Sequence, residues 1–208
     1  MSSPALDLRG HRPALLLDVM GTLVRDPFFE DMPAFFGLTL RELLEQKHPT
    51  AWVEFEHGEI DEHACMAKFF QDARPFDVGA FKAHVARGYE WLPGIEPLLE
   101  ELAAHGVEMH ALSNYPEWWR LIEERLGLSR YVRWSFVSCR TKVRKPHPDA
   151  YLGAAAALGR PACSCVFVDD RQDNVEAAWA VGMPGLVFTT AEALRADLAS
   201  LGIRGAIR

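Results

Sequence analysis

The sequence lacks the features that mark several large classes of protein. None of its four cysteines has zinc-site spacing, no apolar run is long enough for a transmembrane helix, and we find no internal repeat or low-complexity segment. Residues 1–12 carry proline, aspartate and arginine before a brief apolar run, which is typical of neither a signal peptide nor a membrane span. We therefore expect a cytoplasmic protein with no membrane partner and reduced core thiols at Cys65, Cys139, Cys163 and Cys165.

Positive charge is also scarce. The chain has 22 Lys and Arg against 29 Asp and Glu, which gives a formal net charge of −7. Nonspecific nucleic-acid binding needs a basic face, so this balance argues against a nucleic-acid partner. An anionic substrate would have to be held locally, by a metal ion, a few cations or helix N-termini.

The 208 residues are 49% hydrophobic and 11% aromatic, which suits one globular domain or a core with a small inserted lobe. An apolar run at residues 15–17 ends on Asp18 and then breaks into Gly21 and Thr22. This pattern predicts a buried parallel strand that carries Asp18 at its carboxyl end, as a nucleophile or a metal ligand. The alternative is an aspartate that only caps a helix.

Residues 25–93 show helical signals and no convincing strand. Thr39 and Glu42 have capping-box spacing, and Asp61 and Asp77 are candidate N-caps. The cap count predicts about four helices. We expect a small helical cap domain over residues 25–93, inserted into a core domain formed by residues 1–24 and 94–208.

From Ile95 onwards, helix and strand signals alternate. Strands are predicted at residues 107–112, 134–138, 165–168 and 186–188. Between them we expect helices, one of them capped by Asp173 or Asn174 and another by a second capping box over residues 189–192. This alternation predicts an α/β fold with a Rossmann-like parallel sheet.

Polar groups follow four of the predicted strands and should meet along the carboxyl edge of the sheet. Three carboxylates there would repel one another unless a cation lies among them or one keeps a proton. A hard divalent cation with oxygen ligands resolves this repulsion, and Mg²⁺ suits it best. The residues are Asp18, the pair Ser113 and Asn114, Lys145, and the pair Asp169 and Asp170.

The ordered motifs Asp18-Val-Met-Gly-Thr22, Ser113-Asn114, Lys145-Pro146 and Asp169-Asp170 resemble the haloacid dehalogenase superfamily. The resemblance spans nearly the whole chain. It implies that Asp18 becomes an aspartyl-phosphate and that Lys145 neutralises the charge of nucleophile and phosphate. It further implies that Ser113 and Asn114 hold phosphate oxygens, and that Asp170 and Asp169 hold Mg²⁺ directly or through water.

Met20 departs from that family pattern. Phosphatases of the family carry a second aspartate here as general acid and base, whereas a thioether cannot transfer a proton. The Met20 backbone carbonyl still offers the contact to Mg²⁺ that the resemblance implies. Loss of a positioned acid costs on the order of 10²–10⁴ in rate.

Three interpretations therefore stay open. The first is a phosphatase whose proton comes from water, the substrate or a residue of the cap, with Glu54, Glu56 and His57 as candidates. The second is a 2-haloacid dehalogenase, from which halide leaves without a proton. The third is a non-catalytic binding protein that keeps the fold.

A closer resemblance is to the flavin mononucleotide (FMN) hydrolases of plant chloroplasts, which also carry Met at this position. It rests on Arg25-Asp-Pro-Phe-Phe29, Trp52-Val-Glu-Phe-Glu56, Asn114-Tyr-Pro116 and Asp169-Asp-Arg171. Gly21 stands where that subgroup is expected to have an acidic residue. The resemblance implies Mg²⁺-dependent hydrolysis of a small phosphate ester, with FMN as the candidate, by a monomer or homodimer.

A flavin would need an aromatic wall, because its ring system is flat and stacks on aromatic side chains. Ordinary core packing is the competing interpretation for each aromatic residue. The candidate substrate-binding residues are Trp52, Glu56, Tyr115 and Trp118.

Overall fold

The computed structural model describes residues 3–7 and 12–203. Five parallel strands form its one sheet: β1 (Ala14–Leu17), β2 (Glu108–Ser113), β3 (Arg133–Val137), β4 (Cys165–Asp169) and β5 (Gly185–Val187). Their order in space is β3-β2-β1-β4-β5. The predicted α/β, Rossmann-like fold is confirmed, and β1 lies at the centre of the sheet.

Eleven α-helices accompany these strands in the described part of the chain, together with two short 3₁₀ turns. None of the helices is long and apolar enough to cross a lipid bilayer. In chain order they are α1 (Asp31–Phe35), α2 (Leu40–Gln46), α3 (Ala51–Glu56), α4 (Glu62–Ala67), α5 (Val78–Arg87), α6 (Ile95–Ala104), α7 (Trp119–Leu126), α8 (Ser138–Thr141), α9 (Pro148–Ala157), α10 (Gln172–Ala180) and α11 (Ala191–Ser200).

Strand β1 is buried on both faces, as an apolar run in a central parallel strand should be. Leu15 and Leu17 pack into one hydrophobic cluster, whereas Ala14 and Leu16 pack into a second cluster on the other side of the sheet. This alternation follows from the two-residue period of a strand. The chain emerging from β1 is therefore held by two cores at once.

The register of the sheet brings the carboxyl ends of β1 and β4 together. Leu17 lies opposite Val168, and the Asp18 N–H donates to the Val168 carbonyl at 2.8 Å. Asp18 and Asp169 thus emerge side by side from adjacent strands. The sequence predicted this meeting from the position of each aspartate after an apolar run.

The segment between β1 and α6 contains five helices rather than the predicted four. The count missed α1, a helix of five residues that has no side-chain N-cap and contains Pro33. Phenylalanine rings fill the interior of this segment, as in the pair Phe36 and Phe70 with centroids 4.9 Å apart. No observation here tests the division into core and cap domains, which stays a prediction.

Several of the predicted helix caps are confirmed. Thr39 and Glu42 form the capping box of α2, and the Asp61 and Asp77 carboxylates accept backbone N–H groups at the starts of α4 and α5. These caps are set by contacts within four residues, which is why the sequence alone identifies them.

Two other cap predictions are wrong. Helix α10 starts two or three residues earlier than expected, with Arg171 rather than Asp173 or Asn174 at its N-cap. Helix α11 is capped by Thr190, whose hydroxyl accepts the Ala193 N–H at 3.1 Å. The predicted box beginning at Thr189 has the wrong register by one residue.

The position of this cap gives a matched pair of substitutions. We expect Thr190→Ala to lower the free energy of unfolding by about 1 kcal/mol, because it leaves a backbone donor of α11 without its acceptor. Thr189→Ala, at the neighbouring exposed position, should have an effect near zero. Urea unfolding monitored by circular dichroism measures both; a larger loss for Thr189→Ala would contradict the assignment.

Candidate active site

Asp18 lies at the centre of the carboxyl edge, 7% exposed, beside the buried ammonium group of Lys145. Lys145 Nζ is 2.8 Å from Asp18 Oδ1 and 2.6 Å from Asp169 Oδ2. Burial raises the pKa of Asp18 to about 7, because desolvation outweighs the attraction of Lys145 and neighbouring carboxylates add to it. The geometry therefore concentrates negative charge where one cation only partly offsets it.

Asp169 is fully buried and surrounded by donors. Besides Lys145, the Asn174 side-chain amide donates to both of its oxygens at 3.1 Å, and the Arg171 N–H donates to Oδ1 at 2.8 Å. Its oxygens are thus occupied by the protein. Asp169 fixes Lys145 in place, and this leaves it little capacity to bind a metal ion directly.

Asp170 is the exposed member of the pair and lines the cleft above Asp18. The Thr22 hydroxyl accepts the Asp170 N–H at 3.0 Å, which orients the backbone at this point. Gly21 approaches from below with φ of +77°, and a Cβ there would lie 2.8 Å from Asp170 Oδ2. The glycine therefore lets the first motif pass directly under the carboxylate.

The three aspartates form a cluster that suits a hard cation. One oxygen from each of Asp18, Asp169 and Asp170 lies within 4.8 Å of the others. Since the protein already satisfies Asp169, the ligands best placed for direct contact are Asp18 and Asp170, with the Met20 carbonyl as the predicted third. Oxygen donors of this kind fit Mg²⁺.

Asn114 holds Lys145 through its backbone. The Asn114 amide donates to the Lys145 carbonyl at 2.9 Å, and its oxygen accepts the Lys145 N–H at 2.8 Å. Because both polar ends of Asn114 are engaged in this way, its geometry favours positioning of Lys145 over the predicted contact with phosphate.

Ser113 presents the opposite case. Its hydroxyl is buried and has no hydrogen-bond partner among the described residues. A buried polar group without a partner is costly, so an unpaired hydroxyl at the end of β2 indicates a site that a ligand completes. This orphaned donor fits the predicted role of Ser113 in holding phosphate.

A cleft of about 280 Å³ opens over Asp18, Lys145 and Asp170. Asp18, Lys145 and Asp170 lie at its acidic base, and Arg144 and Arg171 add positive charge to its lining. The remaining lining is Met20, Gly21, Asp26, Phe28, Phe29, Trp52, Glu56, Asn114, Tyr115 and Asn174. The cleft is therefore lined by both charged groups and aromatic rings.

Three of the four predicted substrate residues, Trp52, Glu56 and Tyr115, line this cleft. Trp118 does not: it is 1% exposed, and its indole N–H donates to Glu62 at 2.5 Å. Its ring packs 5.6 Å from that of Trp52. Trp118 therefore packs beneath Trp52 in the core, and its burial argues against the predicted contact with substrate.

Of the three candidate proton donors in the helical segment, only Glu56 lines the cleft. Glu54 is bound to Lys68 and Thr50, and His57 is paired with Glu59. Arg144 Nη2 lies 2.6 Å from Glu56 Oε2. Burial raises the pKa of Glu56, while this guanidinium opposes the rise.

The end of α3 is joined to the segment that leads to Lys145. The Ser138 hydroxyl donates to the Glu56 carbonyl, and Lys142 Nζ donates to the Gly58 carbonyl, both at 2.6 Å. Gly58 has φ of +63°, and a Cβ there would lie 2.4 Å from the Cys139 carbonyl oxygen. Only glycine permits this close approach.

Sequence reasoning missed two residues that the structure places in the site. The sequence pattern indicates Asn174 only as a helix cap, yet its side chain binds Asp169 from the first turn of α10. Its position five residues after Asp169 is the signal that identifies it, once the helix start is known. The sequence indicates no role for Asp26 beyond its place in a motif, whereas the structure places it in the lining of the cleft.

The parallel sheet with a ligand cleft at its carboxyl edge defines this chain as a Rossmann-like α/β protein. Residues 13–182 match the family model of haloacid dehalogenase-like hydrolases. The chain is also 49% identical over 191 residues to flavin mononucleotide hydrolase 1 of Arabidopsis thaliana chloroplasts, an alignment that covers 92% of this chain and 78% of the relative. The protein belongs to the haloacid dehalogenase-like hydrolase family and is an enzyme.

Solved structures agree with this fold. A variant of a family enzyme from Bacteroides thetaiotaomicron, crystallised with magnesium and inorganic phosphate, has a TM-score of 0.68 at 16% identity, over 86% of this chain and 95% of its own. L-2-haloacid dehalogenase from Xanthobacter autotrophicus has a TM-score of 0.62 at 21% identity, over 90% and 82% of the two chains. At these identities the similarity shows the fold alone.

The buried charge of Asp18 predicts a cost to stability. Its pKa is raised from 3.8 to about 7, so the folded state bears the cost of ionisation above that range and loses it as the pH falls toward 3.8. We expect Asp18→Asn to stabilise the metal-free protein at alkaline pH by on the order of 1 kcal/mol, or about 2–4 °C in Tm.

Calorimetry in chelator at two pH values tests this expectation. The gain should shrink at mildly acidic pH, where the folded wild-type carboxyl is already protonated. Asp72→Asn, a change of the same kind at an exposed side chain paired with Arg74, is the control. A lower Tm for Asp18→Asn in alkaline buffer would contradict the electrostatic cost.

Proposed function

We propose that this protein is a Mg²⁺-dependent phosphomonoester hydrolase that acts through an aspartyl-phosphate on Asp18. The observation that carries the proposal is the position of Asp18 at the base of the cleft, with one oxygen bound to Lys145 and with a carboxylate oxygen of Asp170 within 4.8 Å. A carboxylate attacks a phosphate dianion only when nearby positive charge offsets their repulsion. This site assembles groups that can supply that offset.

The residues of this chain divide the work of the first step. Asp18 attacks phosphorus, Lys145 stabilises the charge that nucleophile and phosphate bring together, and the unpaired Ser113 hydroxyl donates to a phosphate oxygen. Mg²⁺, held by Asp18, Asp170 and the Met20 carbonyl, would supply further charge neutralisation at the phosphate. Water then hydrolyses the aspartyl-phosphate and regenerates Asp18.

FMN is the proposed substrate. The relative that shares 49% identity carries the name flavin mononucleotide hydrolase, and the alignment covers most of both chains. The cleft supports this choice through its flanking rings, Phe28, Phe29, Trp52 and Tyr115, which offer flat apolar surface next to the phosphate end. Phe29 is 57% exposed, which leaves its ring available for stacking.

The central test is hydrolysis of FMN by the purified, Mg²⁺-loaded protein. We expect release of riboflavin and phosphate, and a loss of about 10⁴-fold or more in kcat for Asp18→Asn, which removes the nucleophile but keeps its shape. Asp72→Asn, away from the cleft, should retain wild-type turnover. Phosphate release by Asp18→Asn at the wild-type rate would refute the mechanism.

The same assay separates the other activities of this fold. Turnover of 2-haloacids that persists in excess chelator would instead assign the chain as a dehalogenase. Absence of turnover with phosphate esters and haloacids alike, in folded and metal-loaded protein, would favour a binding protein.

The unequal surroundings of Asp169 and Asp170 predict different defects. Asp170→Asn should raise the Mg²⁺ concentration for half-maximal activity by at least about 10-fold, since it removes a proposed direct ligand. Asp169→Asn should mainly lower kcat at saturating Mg²⁺, because Lys145 loses its anchor. Calorimetric Mg²⁺ titration provides a second measurement, and a reversal of the two phenotypes would contradict this division.

A further inference from the structure

Met20 leaves the proposed reaction without an evident proton donor. The ester oxygen of an alkyl phosphate such as FMN needs a proton in the transition state to leave phosphorus as an alcohol. The thioether of Met20 carries no such proton. Under the proposed phosphatase function, on which this inference rests, another group of the chain must replace this acid. Such a group must be acidic, must face the cleft and must have an atom free to reach the substrate.

Asp26 satisfies the requirement of position. The chain leaves Met20, forms bridges from Val24 to both Met20 and Trp91, and then returns to the cleft at Asp26. Asp26 lines the same cavity of about 280 Å³ as Asp18 and Met20. A substrate whose phosphate lies on Asp18 therefore extends into a space that this carboxyl borders.

The two oxygens of Asp26 have different surroundings. Oδ1 accepts the Phe28 N–H at 2.9 Å, which fixes the orientation of the side chain. Oδ2 has no hydrogen-bond or ion-pair partner among the described residues. It is also not one of their fully buried polar atoms that lack a partner. One oxygen is thus anchored while the other is free to exchange a proton at the cleft.

The charges around Asp26 favour its protonated form. Burial raises the pKa of Asp26 and the negative charge of Asp170 adds to the rise, while the Phe28 N–H and the charge of Arg25 oppose it. Arg25 is also paired with Glu30 and Asp31, whose negative charges offset its own. From the other elements, Glu56 adds negative charge, its partner Arg144 offsets that charge, and the phenols of Tyr89 and Tyr115 are neutral.

Glu56 is the competing carboxyl, since it also borders the cleft. Its side chain is 10% exposed, and the Arg144 guanidinium is 2.6 Å from its Oε2. Burial raises the pKa of Glu56, but Arg144 opposes the rise, so this carboxyl holds its negative charge more firmly than it would without the guanidinium. The contacts therefore assign Glu56 to holding Arg144 and leave Asp26 as the free acid.

We propose that Asp26 is the general acid and base of this enzyme, in place of the aspartate that Met20 replaces. In the first step an Asp18 oxygen bonds to phosphorus, the bond from phosphorus to the ester oxygen breaks, and the Asp26 proton passes to that oxygen to give the alcohol. In the second step water attacks the aspartyl-phosphate and returns a proton to the Asp26 carboxylate. Phosphate leaves and Asp18 is regenerated.

Asp26→Asn tests this role through leaving groups of different acidity. Asparagine keeps the acceptor for the Phe28 N–H but carries no exchangeable acid, so the loop should stay folded. We expect kcat for an alkyl phosphate such as FMN to fall about 10²-fold or more. For p-nitrophenyl phosphate, whose p-nitrophenolate group departs without a proton, kcat should fall less than about 5-fold. Equal losses for both esters would overturn the proposal, as would an effect on KM alone.

A second substitution should restore the acid from the neighbouring position. Met20→Asp combined with Asp26→Asn is expected to recover at least about 10-fold of the alkyl phosphate rate, since a carboxyl is again available at the leaving group. Met20→Asn with Asp26→Asn is the matched control and should recover nothing. Rescue by both double variants, or by neither, would contradict the role of Asp26 in proton transfer.

Glu56→Gln provides the comparison with the other carboxyl. We expect it to change the rates of the two esters by similar factors, because it affects the shape and charge of the cleft rather than proton transfer. A loss confined to the alkyl ester in Glu56→Gln, with none in Asp26→Asn, would assign the acid to Glu56 and overturn the proposal.

A second alkyl monophosphate distinguishes failure of the FMN assignment from failure of the role proposed for Asp26. If the wild-type protein cleaves p-nitrophenyl phosphate and another alkyl monophosphate but not FMN, the flavin assignment fails. The ratio of alkyl to aryl rates, measured with that other ester in each variant, then decides the role of Asp26 by the same criteria.

Discussion

The candidate site depends on one ammonium group shared by two buried carboxylates. Lys145 Nζ lies within 3 Å of both Asp18 and Asp169, and all three residues are almost fully shielded from water. A lone carboxylate in this position would take up a proton, whereas two of them beside one cation keep the site poised between charge states. Asn114 holds the backbone of Lys145 by hydrogen bonds, and Asn174 holds the carboxylate of Asp169 in the same way.

Local signals in the sequence account for the framework of the site. Asp18 and Asp169 each follow a short apolar run, and parallel strands bring such positions to one edge, so their meeting follows from pattern alone. The caps at Thr39, Asp61 and Asp77 were predictable for a similar reason, because each depends on residues within one turn of helix.

The rest depends on contacts between residues distant in sequence. No local pattern distinguishes Trp118 in the core from Trp52 at the cleft, since both are aromatic residues at or near a helix start. The different tasks of Asp169 and Asp170 follow from Asn174 and Lys145, which approach only one of the pair. The register error at Thr189 shows that even a local motif fails when two identical residues are adjacent.

The close approach of Gly58 to the Cys139 carbonyl joins the helical segment to the core of the site. Helix α3 carries Trp52 and Glu56, and its end is hydrogen-bonded to the segment that precedes Lys145. Phe29, three residues after Asp26, contributes an exposed ring to the lining of the same cleft. Gly58 therefore ties the cleft to its base, although it does not line the cleft itself.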